Sequence, residues 1–310
     1  MSDISNLRYI LRGVHNFLPT PLLPDYEVDL YGMRENVAYH ADTFNTDMGV
    51  TVCGGFGEGL QMDVEEQKDI VSAAVDGAGG RVPITAVALG GYGIQRRLAI
   101  NAQEAGASSL RVRFPTFGTT DSDNAYSYLR SLAESVDIGM VIFVMGEHDF
   151  WPDVFERLSG ISNIIGFSPP GGADSSDEIG RAIKHRVPNR YIWINENEQS
   201  AMKSFPNGCE GYTTAVSSII PKSCKEFWDY GISGDTDQML QIYNELIQPI
   251  IEIRTVGKGC EIGGVKVALE ALGRYGGPTR LPEFQVSEND RKTIVDILRQ
   301  HPETKDLLAV

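Results

Sequence analysis

The sequence predicts an α/β fold, a (β/α)8 TIM barrel with a C-terminal extension of three helices. Three observations predict it. Eight short β-rich runs recur up to about residue 230, stretches with helical periodicity and capping signals separate them, and beyond 230 only helical patterns remain. Alternation of this kind requires a parallel sheet whose crossovers are helices. A chain of 310 residues suits one barrel with an appendage, because α/β barrels run past about 250 residues as one domain. The expected division is 1–230 for the barrel and 231–310 for the helical region.

The runs are Val14 to Leu18, Gly49 to Cys53, Ile84 to Leu89, Leu110 to Phe114, Gly139 to Met145, Asn163 to Ser168, Arg190 to Ile194 and Gly211 to Val216. Between them, Asp63-Val-Glu-Glu66 opens one helix as a capping box, and Asp121-Ser-Asp leads into another. After residue 230, Asp235 to Arg254, Ile262 to Leu272 and Ser287 to Gln300 read as helices, separated by glycine-rich breaks at Gly257 to Gly264 and Gly273 to Gly277. An open doubly wound sheet is the competing architecture, and it would show a phosphate-binding turn after an early strand. Gly54-Gly-Phe-Gly-Glu-Gly59 does follow the second run. It lacks the G-x-G-x-x-G spacing and the Walker lysine, so a nucleotide role is disfavoured.

Composition narrows the function classes. Forty-two acidic residues against 27 Lys plus Arg leave a net charge of −15, and no basic stripe matches a phosphate backbone or an anionic bilayer. Neither nucleic acid nor membrane is an expected partner. The beginning of the chain has no apolar signal core and no apolar run approaches about 20 residues, so a cytoplasmic location is expected. Cys53, Cys209, Cys224 and Cys260 form no C-x-x-C pair and read as reduced, buried thiols. No motif demands a cofactor, and none is expected.

In a barrel of this kind the active site lies at the C-terminal ends of the strands. The residues there are Thr20, Cys53 to Glu58, Gly90 to Tyr92, Pro115 to Phe117, Met145 to Asp149, Ser168 to Gly171, Asn195 with Glu196, and Ser217 with Ser218. Several of these segments resemble the pyruvate-dependent class I aldolases typified by dihydrodipicolinate synthase and N-acetylneuraminate lyase. Pro19-Thr-Pro21 resembles that family's Thr-Pro opening, Gly54-Gly-Phe-Gly-Glu58 its G-T-T-G-E turn, and Phe114-Pro-Thr-Phe117 its T-P-Y-Y stretch. Ile165-Gly-Phe167 stands where the family has I-G-I before its lysine, and Gly211-Tyr-Thr-Thr-Ala-Val216 resembles its G-V-I-S strand. Val265-Lys-Val-Ala-Leu269, Leu272-Gly273 and Arg280-Leu-Pro282 resemble its C-terminal helix and R-x-P ending. The resemblance covers nearly the whole chain in shared order, and it implies a small, anionic substrate and a homotetramer or homodimer.

Carried over residue by residue, the resemblance also exposes departures. The sixth-strand lysine that forms a Schiff base falls at Ser168, whose hydroxyl cannot form an iminium. The proton-relaying tyrosine falls at Phe143, the two turn threonines at Gly55 and Phe56, and a further tyrosine at Phe117. The backbone N–H groups of Gly55 and Phe56 remain available to an anion. Glu58, which closes the turn, is expected to be structural. Of the nine lysines, Lys222 and Lys258 are the only weak candidates for a replacement amine, and most of the others read as solvated helix faces.

Other polar groups suit a different chemistry. Glu147, His148 and Asp149 cluster after the fifth strand, where a carboxylate and an imidazole make an acid and base pair. His148 falls near the family's carboxylate-binding arginine, whereas Asp149 reads as a turn or helix-start residue. Arg111 and Arg113 alternate, so both share one face of the fourth strand. Facing inward, the two would pair with Glu147 or hold a substrate carboxylate; Arg113, Glu196 and Thr214 complete the expected pocket. Tyr92 and His15 are lesser candidates. Glu147, His148 and Glu196 are also ligands suited to a divalent metal, but nothing fixes their mutual distance, and no metal is expected.

Three functions remain open at this point. One is a lyase acting on a small oxo acid by aldol cleavage, dehydration or hydration without a Schiff base, with His148 and Glu147 as acid and base. Another is a binding protein that has lost catalysis. The third is an ordinary Schiff-base aldolase whose lysine lies elsewhere than at Ser168.

Overall fold

The computed structural model describes residues 11–43, 47–116, 120–146, 149–170, 172–257 and 261–308. Eight parallel strands close into a barrel in chain order, with β1 (Gly13–Phe17) bonded both to β2 (Met48–Val52) and to β8 (Gly211–Thr214). The others are β3 (Ile84–Ala88), β4 (Ser109–Arg113), β5 (Gly139–Phe143), β6 (Ile164–Ser168) and β7 (Ile192–Asn195). Each predicted strand is present, most of them ending a residue or more earlier than the apolar pattern suggests.

Helices α1 (Leu30–Thr43), α2 (Val64–Ala78), α3 (Tyr92–Glu104), α4 (Ser122–Ala133), α5 (Trp151–Leu158), α6 (Ala173–Arg186), α7 (Glu198–Ser204) and α8 (Pro221–Ser233) surround the barrel. The predicted capping box at α2 forms in full: Asp63 accepts from the Glu66 N–H while the Glu66 carboxylate accepts from the Asp63 N–H. At α4 the Asp121 side chain accepts from the Asn124 N–H.

Beyond the barrel, the first helical segment is built from α9 (Thr236–Ile242), a π turn at Tyr243–Ile247, α10 (Gln248–Ile251) and a closing 3₁₀ turn. Pro249 explains the break, because it has no N–H to donate to a carbonyl one turn back. Helices α11 (Glu261–Ala271) and α12 (Glu288–Gln300) follow as predicted.

Period two sorts the barrel's side chains. Outward residues such as Leu110, Val112, Ile142 and Trp193 join one large apolar cluster with the helices, including Ile247, Ile250 and Ile253 of the extension. Inward residues Val141, Ile165, Ile192 and Ile194 make a small apolar plug with Leu11. Trp193 stacks on Phe167 with ring centres 6.0 Å apart, and it fits because Gly180 of α6 has no Cβ, which would lie 2.0 Å from the indole. No helix among the described residues is long and apolar enough to cross a membrane.

Candidate active site

A cavity of about 390 Å³ opens at the C-terminal ends of the strands, where the sequence placed the site. Its centre is a buried polar cluster. Arg111 of β4 points inward and donates through Nη2 to Ser168 Oγ at the end of β6 and to Glu196 Oε1 just past β7, while Ser168 donates its hydroxyl to the same Glu196 oxygen. Two aromatic rings hold the guanidinium, with Phe17 at 5.4 Å and Phe143 at 5.7 Å from it. Arg111 is 3% exposed and Glu196 16%, and both line the cavity. Burial draws the guanidinium down to about 9, still above neutrality, and it stays cationic.

Around this cluster, Gly55 and Phe56 of the turn after β2, together with Arg113, Phe143 and Thr214, line the cavity. Arg113 lies 5.9 Å from the Phe143 ring and meets no carboxylate among the described residues. The Thr214 hydroxyl accepts from the Val216 N–H. Ser168 is fully buried beneath the cavity floor and reaches it through Arg111 and Glu196.

Other candidates are placed elsewhere or have structural partners. Phe117, Glu147, His148, Lys258 and Cys260 lie outside the described residues. Asp149 borders a separate cleft with Asp174 and Glu178. Tyr92 exchanges a hydrogen bond with Ser131 at 2.7 Å, and His15 is bound to the Leu11 carbonyl at 2.8 Å. The Lys222 N–H donates to Glu303 at the start of α8. Cys53, Cys209 and Cys224 are buried and free, as expected, and burial pushes the first two thiols up to about 12.

Lys266 departs from the solvated setting expected of most of the lysines. It is fully buried in α11, 2.5 Å from the carboxylate of Glu58, and donates to the Pro278 carbonyl at 2.7 Å. Desolvation is the largest influence on its amine and lowers its pKa, opposed by Glu58. Glu58 also accepts from the Arg280 N–H at 2.6 Å, and it is among the residues that line the cavity.

Several cavity residues escaped the sequence reading, among them the charged side chains Glu198, Arg254 and Glu283. Glu198 follows the strand end by three positions and looked like an ordinary helix opener. Arg254 ends the extension's first helical segment, stands 4.8 Å from the Phe56 ring and pairs with Glu261 at 3.2 Å. Among the described residues no lysine lines the cavity, and no group of three His, Cys, Asp or Glu is arranged to hold a metal.

Known proteins match this chain over nearly all its length. A probable 5-dehydro-4-deoxyglucarate dehydratase of Bradyrhizobium sp. strain BTAi1 is 26% identical over 294 residues, covering 94% of this chain and 92% of its own. A 4-hydroxy-tetrahydrodipicolinate synthase of Methanothrix thermoacetophila is 26% identical over 297 residues, covering 93% and 96%. Among solved structures, dihydrodipicolinate synthase from Bacteroides thetaiotaomicron superposes with a TM-score of 0.84 at 18% identity, over 93% of this chain and 98% of that one. A structure described as the first monomeric dihydrodipicolinate synthase variant gives 0.83 at 21%, over 97% and 98%. These likenesses show the shared barrel. The model of the dihydrodipicolinate synthetase family matches residues 10–301, and the chain belongs to that family.

Proposed function

We propose that this protein is a lyase that acts on a small oxo acid without a lysine Schiff base, stabilising an enolate on Arg111 and moving the α-proton with Glu196. The observation that carries the proposal is the contact set at the end of β6, where Ser168 binds both Arg111 and Glu196. A Schiff base accelerates loss of an α-proton by placing a cationic nitrogen next to the carbonyl carbon. A guanidinium bonded to the carbonyl oxygen offers a related stabilisation, because it faces the charge that develops there. Among the described residues every hydrogen bond of Arg111 leaves from Nη2, which leaves its other donors to a ligand oxygen. Glu196 is beside that position and accepts the proton. Arg113 offers its charge to the substrate carboxylate, together with the backbone N–H groups of Gly55 and Phe56. Glu147 and His148 remain a second acid and base pair to be tested by substitution, and assembly as a homodimer or homotetramer belongs to the same proposal.

One observation favours a second reading, binding without turnover: Glu196 already neutralises Arg111. The two readings separate in D₂O. Incubation with pyruvate and a panel of 2-oxo acids, followed by proton NMR, is expected to show enzyme-dependent exchange at C3, cut by about 10²–10⁴-fold in Glu196→Gln. Saturable binding with no exchange would establish the binder. Borohydride reduction of the mixture is expected to leave the intact mass unchanged; a mass gain would reveal an iminium and overturn the lysine-free mechanism.

A further inference from the structure

We infer that Glu198 is the acid that protonates a leaving hydroxyl, which makes the reaction a dehydration of a 4-hydroxy-2-oxo acid. The inference rests on the enolate reading above and adds a second proton-transfer group to it. Glu198 is the first residue of α7, two positions after Glu196, and both line the same cavity. It is 2% exposed, yet its Oε1 has no hydrogen-bond partner among the described residues. A buried carboxyl oxygen without a partner is costly, and one on a cavity wall is positioned to be satisfied by a ligand.

The two carboxyl groups live in different surroundings. Glu196 is ion-paired with Arg111. Burial pushes the Glu198 carboxyl above its usual range, and Thr214 and the charge of Arg254 oppose this less strongly. Environments that separate two neighbouring carboxyl groups assign one the base's role and the other the acid's. The bonds then balance. Glu196 takes the proton from C3 as the C3–H pair moves into the enolate, whose oxygen rests on Arg111. The enolate collapses, the C3–C4 double bond forms, and the C4–O bond breaks as the hydroxyl takes the Glu198 proton and departs as water. The product is a 2-oxo-3-enoic acid. Glu196, now protonated, and Glu198, now ionised, exchange protons with solvent after release, so no oxidant or further reactant is needed.

The test reads two signals from one incubation of the whole chain with several 4-hydroxy-2-oxo acids in D₂O: exchange at C3 by NMR and the ultraviolet absorbance of the conjugated product. Wild type is expected to give both. Glu198→Gln, which keeps the shape but not the acid, is expected to retain exchange within about threefold and lose water release by about 10²-fold or more. Glu198→Asp should recover part of the release. In wild type, release should fall at high pH as the acid ionises, and the glutamine variant should lack that limb. Equal loss of both signals in Glu198→Gln, or undiminished release, would overturn the inference. So would a wild type that exchanges C3 but releases no water, a result that leaves the enolate chemistry standing. A wild type showing neither signal defeats both readings.

Discussion

Two buried ion pairs, Lys266–Glu58 and Arg111–Glu196, differ in what lies beside them. The first has both side chains withdrawn from solvent, although Glu58 is itself among the residues that border the cavity. Both partners are fully buried, Lys266 also donates to Pro278, and Glu58 also accepts from Arg280. Three distant segments, the turn after β2, helix α11 and the chain beyond it, are thereby fastened together. The second pair has aromatic rings around its guanidinium and an open flank at the cavity. A ligand can compete for it. Burial and a perturbed amine alone would have nominated Lys266 as the reactive group; access and spare donors nominate Arg111.

The comparison breaks most decisively at the enclosed pair. Lys266→Met strands the Glu58 carboxylate without its counter-charge and is expected to cost about 3–5 kcal/mol in urea unfolding. The double change Lys266→Met with Glu58→Gln should recover part of that loss, since no uncompensated charge remains. Arg111→Met should destabilise less, because Glu196 can turn towards cavity water, while abolishing C3 exchange. Equal costs at Lys266 and Arg111 would mean that the cavity pair is a structural clamp as well.

The barrel was legible because strand period and turn residues are local signals. Ile84 to Leu89 anticipated β3 within one residue, and the alternation of Arg111 and Arg113 put both on one face. Which face was inward depended on closure, which is not local. The meeting of Arg111 with Glu196 spans 85 positions and left no trace in the spacing. Glu198 was hidden by an ordinary role, since acidic residues often open helices. Lys266 did carry a signal that went unused. Its neighbours Val265, Val267, Ala268 and Leu269 are all apolar, and a helix apolar on every side is buried, which leaves a lysine within it in need of a carboxylate.

A proton added beneath the cavity sharpens the contrast. His15 of β1 is buried and held at about 4, chiefly by desolvation, with a smaller contribution from the charge of Arg111. Its folded value lies below the unfolded one near 6.5, so the unfolded chain binds the proton first. Stability therefore falls as pH drops from about 6.5 to about 4, by roughly 3 kcal/mol from this residue. His40 and His301 are also lowered and act in the same direction. The His15 share is the part removed in His15→Gln, measured as the difference between the two unfolding curves across that pH range. In Arg111→Met the His15 value should rise only slightly, because burial dominates; a large rise by NMR would make the Arg111 charge the main cause.

The smallest effect belongs to an ion pair that is neither enclosed nor catalytic. Arg280 grips Glu66 through two bonds, at 2.9 and 2.7 Å, and also donates to the carbonyls of Tyr26 and Gln61. Glu66 simultaneously completes the cap of α2, so charge and cap are separable. Glu66→Gln keeps a side-chain acceptor for the Asp63 N–H and removes only the charge, at a cost of about 1 kcal/mol for this partly exposed pair. The Arg280 hydrogen bond is the main reason the Glu66 carboxyl is held below its usual range. Its stabilisation is therefore present above the unfolded value near 4.3 and is lost as pH falls through the lowered folded value. Wild type and Glu66→Gln should accordingly differ at pH 7 and converge in acid. A gap that persists below pH 3 would show that the amide has damaged the cap rather than the ion pair, and Glu66→Ala, which removes both, would then cost little more.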